Sequence, residues 1–261
     1  MLNYVYGSKN RIFVNTVIGC NASCSYCYMP TIHQDYLGSK ISAEEVIKHM
    51  DAVKEFVPGK DNTIVSLGCY SECMFTENVE DTLQLIHFFC EKSNYIQLAT
   101  KQEISEEVCK KMSEYQLYEN QINVYISMPT YSKINVFEQG TATVEERIHN
   151  IEMCKEYGIN VILYIKPYLE TISFGDLEHY IDLVKRYNIP VVVGEYLSIN
   201  KTKCIADVGE ELLYEHGKTN EMNLFISKLS EHSTVYEHSI DFINDIREEK
   251  EDEPRGGCKN N

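Results

Sequence analysis

The amino-acid sequence predicts an α/β fold: a partial (β/α)6 barrel of parallel strands with the helices outside and a helical C-terminal extension. The chain has 261 residues, which is enough for one large α/β domain. Its composition, 43% hydrophobic and 25% charged, is typical of a globular protein with a sizeable core. Short β-branched runs alternate with helical patterns from residue 11 onward, which indicates parallel strands joined by right-handed crossovers.

The predicted strands are short apolar runs, and they cover residues 11–17, 62–68, 95–100, 122–128, 159–167 and 189–197. The predicted helices repeat apolar residues at helical spacing, and they cover residues 42–56, 78–92, 105–115, 143–158 and 174–188. Six strands suit an open barrel better than a closed eightfold one, and we expect this barrel to occupy residues 1–200. Residues 201–261 are polar and helical without a clear strand. We expect them to extend the same domain over one edge or mouth of the barrel and to end in an acidic, mobile tail.

Charge and apolar content exclude some classes of protein. The formal net charge is −16, from 24 basic and 40 acidic side chains, and such a surface disfavours non-specific binding to nucleic acid. No run of about 18 apolar residues occurs, so we expect no membrane span. Residues 1–13 lack the apolar stretch of a signal peptide. With 10 cysteines and no export signal, we expect a cytoplasmic protein whose thiols serve metal or redox chemistry rather than disulfides.

Three cysteines are crowded into the segment "GCNASCSYCYMP", where Cys20, Cys24 and Cys27 follow a Cys-x3-Cys-x2-Cys pattern. The segment follows the first predicted strand. In parallel α/β folds, ligands bind at the carboxyl ends of the strands, so these thiols should lie at that end. We expect the same end to gather residues 68–73, 100–101, 127–130, 166–168 and 195–200.

The number of thiols in this loop bears on the group that it could hold. A [4Fe–4S] cluster is normally held by four thiolates, so three would leave one iron open to a small molecule. A structural zinc site would instead need a fourth protein ligand, which Cys69, Cys73 or a histidine could supply. Chance clustering of buried thiols is the third interpretation, and the spacing by itself leaves all three open.

The segment "CNASCSYC" resembles the cluster loop of radical S-adenosylmethionine (SAM) enzymes. The resemblance implies a [4Fe–4S] cluster on Cys20, Cys24 and Cys27, with the amine and carboxylate of SAM on the open iron. It also implies the reaction of that superfamily, in which one electron cleaves SAM to a 5′-deoxyadenosyl radical that abstracts hydrogen from a substrate. The partial barrel typical of the superfamily agrees with the count of predicted strands.

A second segment makes the resemblance more specific within the superfamily. Most superfamily members have a Gly-Gly-Glu-like segment at the end of strand two, but this chain has "LGCYSECMF". That segment resembles the Ala-Cys-Thr-Ser-Asp segment of spore photoproduct lyase. The resemblance implies that Cys69 is a hydrogen-donating catalytic cysteine, that Ser71 lies near the cofactor carboxylate, and that Glu72 replaces an aspartate.

Further segments extend the similarity to the lyase family. "CSYCYMPT" resembles "CHYCYLQT", which implies Tyr26 at the adenosine of SAM and Tyr28 as a second catalytic residue close to the thiol. "LATKQ" and "YISM" imply Lys101 and Ser127 as cofactor-binding residues, and "FEQGTATVEERIHNIEMCKEYG" resembles a further stretch of the family. Lys166, in "IKP", stands where the lyase has a small residue, at a predicted barrel mouth where it would contact the cofactor or the substrate.

The remaining cysteines are interpreted individually. Cys73 would pack beside Cys69 or form a disulfide relay with it, and Cys204 and Cys258 lie in polar segments. Three cysteines on apolar helix faces are expected in the core, namely Cys90, Cys109 and Cys154.

These observations lead to three hypotheses of function. The first is a lyase-like radical SAM enzyme that acts on a nucleotide, base or other small metabolite and takes electrons from a donor such as flavodoxin or ferredoxin. The second is a true spore photoproduct lyase, which repairs a thymine lesion in DNA. The acidity disfavours DNA as a partner, and the lesion-binding hairpin of the lyase is not recognisable in the sequence. The third is a non-catalytic iron–sulfur or zinc protein.

Overall fold

Strands and helices alternate along the chain. The computed structural model describes residues 4–27, 29, 38–194, 196–197 and 219–252. The strands are β1 (Val5–Gly7), β2 (Arg11–Val14), β3 (Val17–Ile18), β4 (Ser23–Cys24), β5 (Ser39–Lys40), β6 (Ile64–Leu67), β7 (Ile96–Thr100), β8 (Ile122–Ser127), β9 (Glu138–Gln139), β10 (Asn160–Ile165), β11 (Tyr168–Leu169), β12 (Val191–Val193), β13 (Tyr196–Leu197) and β14 (Val235–Tyr236). The helices are α1 (Ala43–His49), α2 (Val79–Glu91), α3 (Glu106–Tyr115), α4 (Ile134–Phe137), α5 (Val144–Glu156), α6 (Ile172–Gly175), α7 (Leu177–Tyr187), α8 (Asn220–Ser230) and α9 (Asp241–Asp252), with a 3₁₀ turn at Met50–Ala52.

The main sheet has eight strands in the order β1-β2-β6-β7-β8-β10-β12-β14. β1 runs antiparallel to β2, whereas every other neighbouring pair in this sheet is parallel. Helices connect the parallel strands, which confirms the predicted α/β fold with a mostly parallel sheet. The sheet has the arrangement of a partial barrel, so its strands share one carboxyl end where loops converge.

Alternation along β2 shows how the sequence separates the two faces of the sheet. Ile12 and Val14 are fully buried in the core between the strands and the helices. Arg11 and Phe13 point the other way and line a cavity inside the barrel. Because successive strand residues face opposite sides, the pattern "RIFV" places one cation and one aromatic ring in the interior.

The helices begin where the sequence provides capping side chains. Ser42, Ser105 and Thr143 each accept a hydrogen bond from a backbone N–H in the first turn of α1, α3 and α5. Thr143 also forms a capping box with Glu146, which satisfies two N–H groups that the helix leaves unpaired. The helix predicted over residues 174–188 is wrong in one respect, since it is divided into α6 and α7 at Asp176. The predicted core cysteines are confirmed as buried, namely Cys90, Cys109 and Cys154.

The C-terminal part departs from the expectation that it has no strand. β14 pairs in parallel with β12 and extends the main sheet. A run of only two residues carries too little alternation to be predicted, and it depends on the edge that β12 offers. β1 was likewise not predicted, because its three residues also carry too little alternation.

Helix α9 packs inside the barrel rather than outside it. Ile243 and Ile246 form a buried cluster with Ile64 and Tyr95, which lie at the amino ends of β6 and β7. The Tyr125 hydroxyl in β8 donates a 2.6 Å hydrogen bond to a backbone oxygen just before the helix. The helix therefore fills the amino end of the barrel and leaves space at the carboxyl end.

The proposed division at residue 200 stays a prediction, because residues 201–218 and 253–261, including the acidic tail, lie outside the described residues. In the part of the chain that the structure describes, no helix combines the length and apolar character needed to cross a membrane.

Candidate active site

A cavity of about 450 Å³ lies at the carboxyl ends of the parallel strands. It collects most of the residues that the sequence predicted for the site, namely Cys20, Cys24, Tyr26, Cys27, Cys69, Ser71, Lys101, Ser127 and Lys166. Tyr28 lies outside the described residues, as do Cys204 and Cys258. Of the segments predicted to converge, residues 68–72, 100–101, 127 and 166–167 line this cavity. The fifth predicted segment, 195–200, lies outside the described residues except for 196–197, and the roles of the individual side chains stay predictions.

The cysteine loop is held by a second segment of the chain. β4, which contains Cys24, pairs antiparallel with β9 at Glu138. The Ser25 N–H donates to the Phe137 carbonyl at 2.9 Å, and the Cys27 N–H donates to the Cys24 carbonyl at 3.0 Å. The backbone of the loop is therefore fixed on both sides of Cys24.

Beneath the loop lie three buried side chains that we call the buried brace: Tyr26, Glu138 and Arg147. The Tyr26 hydroxyl donates to a carboxylate oxygen of Glu138. The other Glu138 oxygen forms a 2.6 Å ion pair with Arg147, and neither side chain of the pair is exposed. Arg147 also donates to the Ser127 carbonyl at 2.8 Å and to the Thr141 hydroxyl at 2.6 Å. The brace thus joins the cysteine loop to the end of β8, and its charges are compensated within the protein.

Burial favours the protonated forms of Tyr26, Cys20 and Cys24. Burial, followed by the Glu138 charge, raises the pKa of Tyr26 well above its ordinary value, so its hydroxyl remains a donor. Burial also raises the pKa of the Cys20 thiol, and it raises the pKa of Cys24 to about 11, although nearby Lys101 opposes the shift at Cys24. Metal binding by these thiols would therefore release protons.

The loop after β6 is fastened by Glu72, which is only 8% exposed. Its carboxylate accepts hydrogen bonds from the Thr100 hydroxyl at 2.6 Å, the Lys101 N–H at 2.8 Å and the Met74 N–H at 3.0 Å. Burial raises the pKa of Glu72, and these hydrogen bonds oppose that rise. Glu72 therefore ties its own loop to the end of β7.

Cys69 reaches the cavity because the residue before it is a glycine. Gly68 has φ of +68°, and a β-carbon there would lie 2.7 Å from Cβ of Cys73, so a larger residue would displace the loop. Burial raises the pKa of the Cys69 thiol to about 11, while the charges of Arg11 and Lys166 oppose the shift. At neutral pH, Cys69 therefore carries its S–H hydrogen.

One polar atom of the cavity lacks a partner. The Ser127 hydroxyl is buried and makes no hydrogen bond to any described residue, although its residue lines the cavity. Buried hydroxyls are normally satisfied, so a polar ligand is the expected partner. On the same side, Lys101 Nζ lies 5.7 Å from the centre of the Tyr26 ring and adds a positive charge. These features fit a polar cofactor that bears a carboxylate.

The arrangement of the thiols bears on the zinc interpretation. Among the residues that the structure describes, no three histidine, cysteine or acidic side chains converge closely enough to hold a single metal ion. Ligands of a cubane cluster bind different irons, so they need not converge on one point. The donor set of three cysteines around one cavity fits a cluster better than a lone ion.

Sequence reasoning assigned no role to Arg11, Glu138 or Arg147. Arg147 lies on the buried face of α5 together with Ile151 and Cys154, and an arginine in an apolar stripe is a signal for a buried ion pair. Arg11 shares the inward face of β2 with Phe13, which the alternation of that strand could have indicated.

Known proteins resemble this chain in their sequence profile and in their fold. The profile of the Radical SAM superfamily matches residues 14–184. A mutant of spore photoproduct lyase with bound AdoMet and dinucleoside spore photoproduct superposes with a TM-score of 0.63 at 13% identity, over 87% of this chain and 76% of that one. SuiB from Streptococcus suis bound to S-adenosylmethionine has a TM-score of 0.60 at 12% identity, over 88% of this chain and 50% of that one.

At these identities, the solved structures establish the fold alone. No curated protein sequence matches the chain significantly. The superfamily match covers well over half of the sequence, and it agrees with the partial barrel and with the cavity at its carboxyl end. The chain therefore belongs to the radical SAM superfamily, whose enzymes use a [4Fe–4S] cluster and S-adenosylmethionine.

Proposed function

We propose that this radical SAM enzyme binds its [4Fe–4S] cluster through Cys20, Cys24 and Cys27 and uses Cys69 to return hydrogen to a substrate radical. When bound, the cluster and SAM supply the 5′-deoxyadenosyl radical that takes hydrogen from the substrate. The observation that carries the proposal is that all four thiols line one cavity. The reaction would resemble that of spore photoproduct lyase in its chemistry, with a small molecule or nucleotide as its substrate.

Cys24 and Cys69 differ in the charged groups that act on them, which supports different roles for these two thiols. The charges that act on Cys24 come from Lys101, Glu138 and the other two loop thiols. Those that act on Cys69 come from Arg11 and Lys166. This difference supports the loop thiols as metal ligands and Cys69 as the hydrogen donor.

Side chains around the cysteine loop would bind SAM. Lys101 would hold its carboxylate, since an ammonium and a carboxylate form a charge-assisted hydrogen bond. Ser127 would donate or accept through the hydroxyl that lacks a partner among the described residues, and Ser71 lies on the loop beside Cys69. Tyr26 would support the adenosine, and Lys166 would stand between cofactor and substrate.

Cys69 suits hydrogen return because its thiol is protonated at neutral pH. An S–H bond is weaker than a typical C–H bond, so a carbon radical can take its hydrogen and leave a thiyl radical on Cys69. Tyr28 would pass a hydrogen atom to that thiyl radical, and the tyrosyl radical left behind would be restored by one electron from the reductant and one proton from solvent. A reductant such as flavodoxin or ferredoxin would supply the electron that starts each cycle.

The two alternatives are less well supported. A thymine-lesion lyase shares the fold, but a net charge of −16 disfavours contact with a phosphate backbone. Membership in a superfamily of enzymes counts against a non-catalytic iron–sulfur or zinc protein.

The proposal is tested by anaerobic reconstitution with iron and sulfide. We expect an electron paramagnetic resonance signal of a reduced four-iron cluster that changes when SAM is added, and formation of 5′-deoxyadenosine with dithionite. Cys24→Ala should abolish the signal, whereas Cys90→Ala, which alters a buried helix cysteine, should retain it. A cluster that ignores SAM, or iron binding that survives Cys24→Ala unchanged, would overturn the proposal. Turnover of dinucleoside spore photoproduct would instead establish the lyase alternative.

A further inference from the structure

The described residues that line the cavity carry an excess of positive charge, whereas the whole chain is strongly negative. The chain carries a net charge of −16, yet the described residues that line the cavity include three cations and one carboxylate: Arg11, Lys101, Lys166 and Glu72. Glu72 is occupied by three hydrogen bonds from its own chain. An excess of positive charge among the described lining residues favours the binding of anions.

The three cations are divided between two ends of the cavity. Lys101 lies over the ring of Tyr26 beside the cysteine loop and is sufficient for the carboxylate of SAM. Arg11 and Lys166 both act on Cys69. Their charges do not serve to make Cys69 a thiolate, because burial keeps the pKa of that thiol at about 11.

Arg11 has only neutral partners in the described part of the chain. Its Nε donates to the Ser66 hydroxyl at 2.7 Å, and Nη2 donates to the Gln97 carbonyl oxygen in the amide orientation that satisfies both ends of that side chain. No carboxylate of the described residues lies within ion-pair distance of Arg11, in contrast to Arg147 with Glu138. A partly buried cation without a counter-ion is costly, so a bound anion would stabilise it.

Aromatic side chains form the surface next to Arg11. The guanidinium lies 4.4 Å from the centre of the Phe13 ring. Phe13 stacks on Tyr6 at 4.8 Å, and Tyr6 stacks on Tyr70 at 5.0 Å. All three rings line the cavity. Such a column offers apolar contact to a planar group and fixes the orientation of the guanidinium.

We propose that the substrate is a small organic anion, with its carboxylate or phosphate bound by Arg11 and Lys166 and its planar part against the column of Phe13, Tyr6 and Tyr70. This assignment rests on the proposed function, since it places the substrate beside Cys69. The Lys166 side chain runs along Gly194, where a β-carbon would lie in ordinary van der Waals contact with Lys166 Cδ, at 3.5 Å. Two cations beside one thiol would hold the substrate with its reacting carbon near the S–H hydrogen.

The test measures binding of two matched pairs of probes to the reconstituted holoenzyme with SAM by anaerobic calorimetry. Orotate against uracil isolates a carboxylate, and uridine 5′-monophosphate against uridine isolates a phosphate. We expect the anion of at least one pair to bind about tenfold more tightly or better than its neutral partner, since hydrogen bonds to charged groups are the stronger ones. The pair that discriminates identifies which anion the site takes.

Variants then assign the preference to its residues. Arg11→Gln and Lys166→Gln should each remove most of it, and Arg11→Lys should retain part of it because the charge remains. The matched control is Arg186→Gln, which removes a positive charge from a side chain that is 70% exposed and should keep the full preference. If Arg11→Gln does not fold, Lys166→Gln carries the same prediction.

Three outcomes would overturn the inference: equal affinity within both pairs, no binding of either anion at millimolar concentration, or a preference that survives both Gln variants. A Lys166→Gln variant that weakens the binding of SAM but not of the anion would show that Lys166 contacts the cofactor, and it would overturn the role of Lys166 in substrate binding. Dithionite-driven 5′-deoxyadenosine formation by the wild-type enzyme without probe is measured in parallel. If it is absent, the proposed function fails. If it is present while the probes do not discriminate, only the substrate assignment fails.

Discussion

The charged side chains at the two walls of the cavity have different kinds of partners. Behind the wall that carries the cysteine loop, Glu138 and Arg147 form a fully buried ion pair, and Tyr26 adds a hydrogen bond to it. On the opposite wall, Arg11 has neutral partners within the described residues and lies with Lys166 near Cys69. The Glu138–Arg147 pair satisfies its own charges, whereas the Arg11 guanidinium has no carboxylate partner among the described residues.

This difference indicates that the buried brace positions the cysteine loop, whereas Arg11 is suited to binding a ligand. A buried pair whose partners are all internal can fix the geometry of a loop without taking part in chemistry. A cation with only neutral partners contributes little to stability, so its value lies in what it binds. Substitutions in the buried brace should therefore change the free energy of unfolding. Substitutions at the other residues should change SAM affinity or the pKa of the Cys69 thiol.

The largest effect is expected when the buried pair is broken. Arg147→Met leaves the Glu138 carboxylate buried without its cation, which should lower the free energy of unfolding by about 3–5 kcal/mol and reduce cluster incorporation. Urea denaturation followed by circular dichroism measures the first effect, and iron content measures the second.

The double variant Glu138→Leu with Arg147→Met supplies the control for that experiment. It removes both charges, so it should regain much of the lost stability. Stability that is equally low in the single and double variants would show that packing, rather than the unpaired charge, dominates the effect.

The sequence predicted the parts of the molecule that depend on local patterns. The strand–helix alternation, the three-cysteine loop and the cavity-facing positions Cys69 and Lys101 follow from short segments and from the shared carboxyl end of parallel strands. The buried brace was not predicted, because Tyr26 and Glu138 are 112 residues apart in sequence. Their contact depends on β4 pairing with β9, and strands of two residues carry no readable periodicity. β14 was missed for the same reason.

A smaller effect is expected at the end of the buried brace. Tyr26→Phe removes the hydrogen bond to the buried Glu138, and an unsatisfied buried acceptor costs about 1–3 kcal/mol of unfolding free energy. Tyr157→Phe is a matched control, since Tyr157 donates a 2.7 Å bond to Glu106 in an exposed position. The control should barely change the free energy of unfolding. Equal losses in the two variants would contradict the expectation that burial makes the Tyr26 hydrogen bond more important for stability.

Substitution of Ser127 should affect ligand binding and not stability, which is the reverse of the effect expected for Tyr26. Its hydroxyl has no partner among the described residues, so Ser127→Ala should leave the stability of the protein without cofactor almost unchanged. SAM affinity, measured by anaerobic calorimetry on the reconstituted enzyme, should fall by a factor of about five to ten, since one hydrogen bond contributes about 1 kcal/mol. A loss of stability without a loss of affinity would place Ser127 with the buried brace rather than with the ligand.

The smallest effect concerns the Cys69 thiol on the opposite wall. Because burial raises its pKa to about 11, alkylation of Cys69 by iodoacetamide should be slow at pH 7 and accelerate as pH rises toward that value. Arg11 and Lys166 lower this pKa, so Arg11→Gln should shift the alkylation midpoint upward by a fraction of a pH unit. Peptide mass spectrometry after timed quenching resolves Cys69 from the other thiols, and Arg186→Gln serves as the exposed-charge control. A midpoint near the ordinary cysteine value would mean that the thiol is solvated. The thiol would still be protonated at neutral pH, but it would no longer be shielded from solvent, and the contrast between the two walls would rest on the buried brace alone.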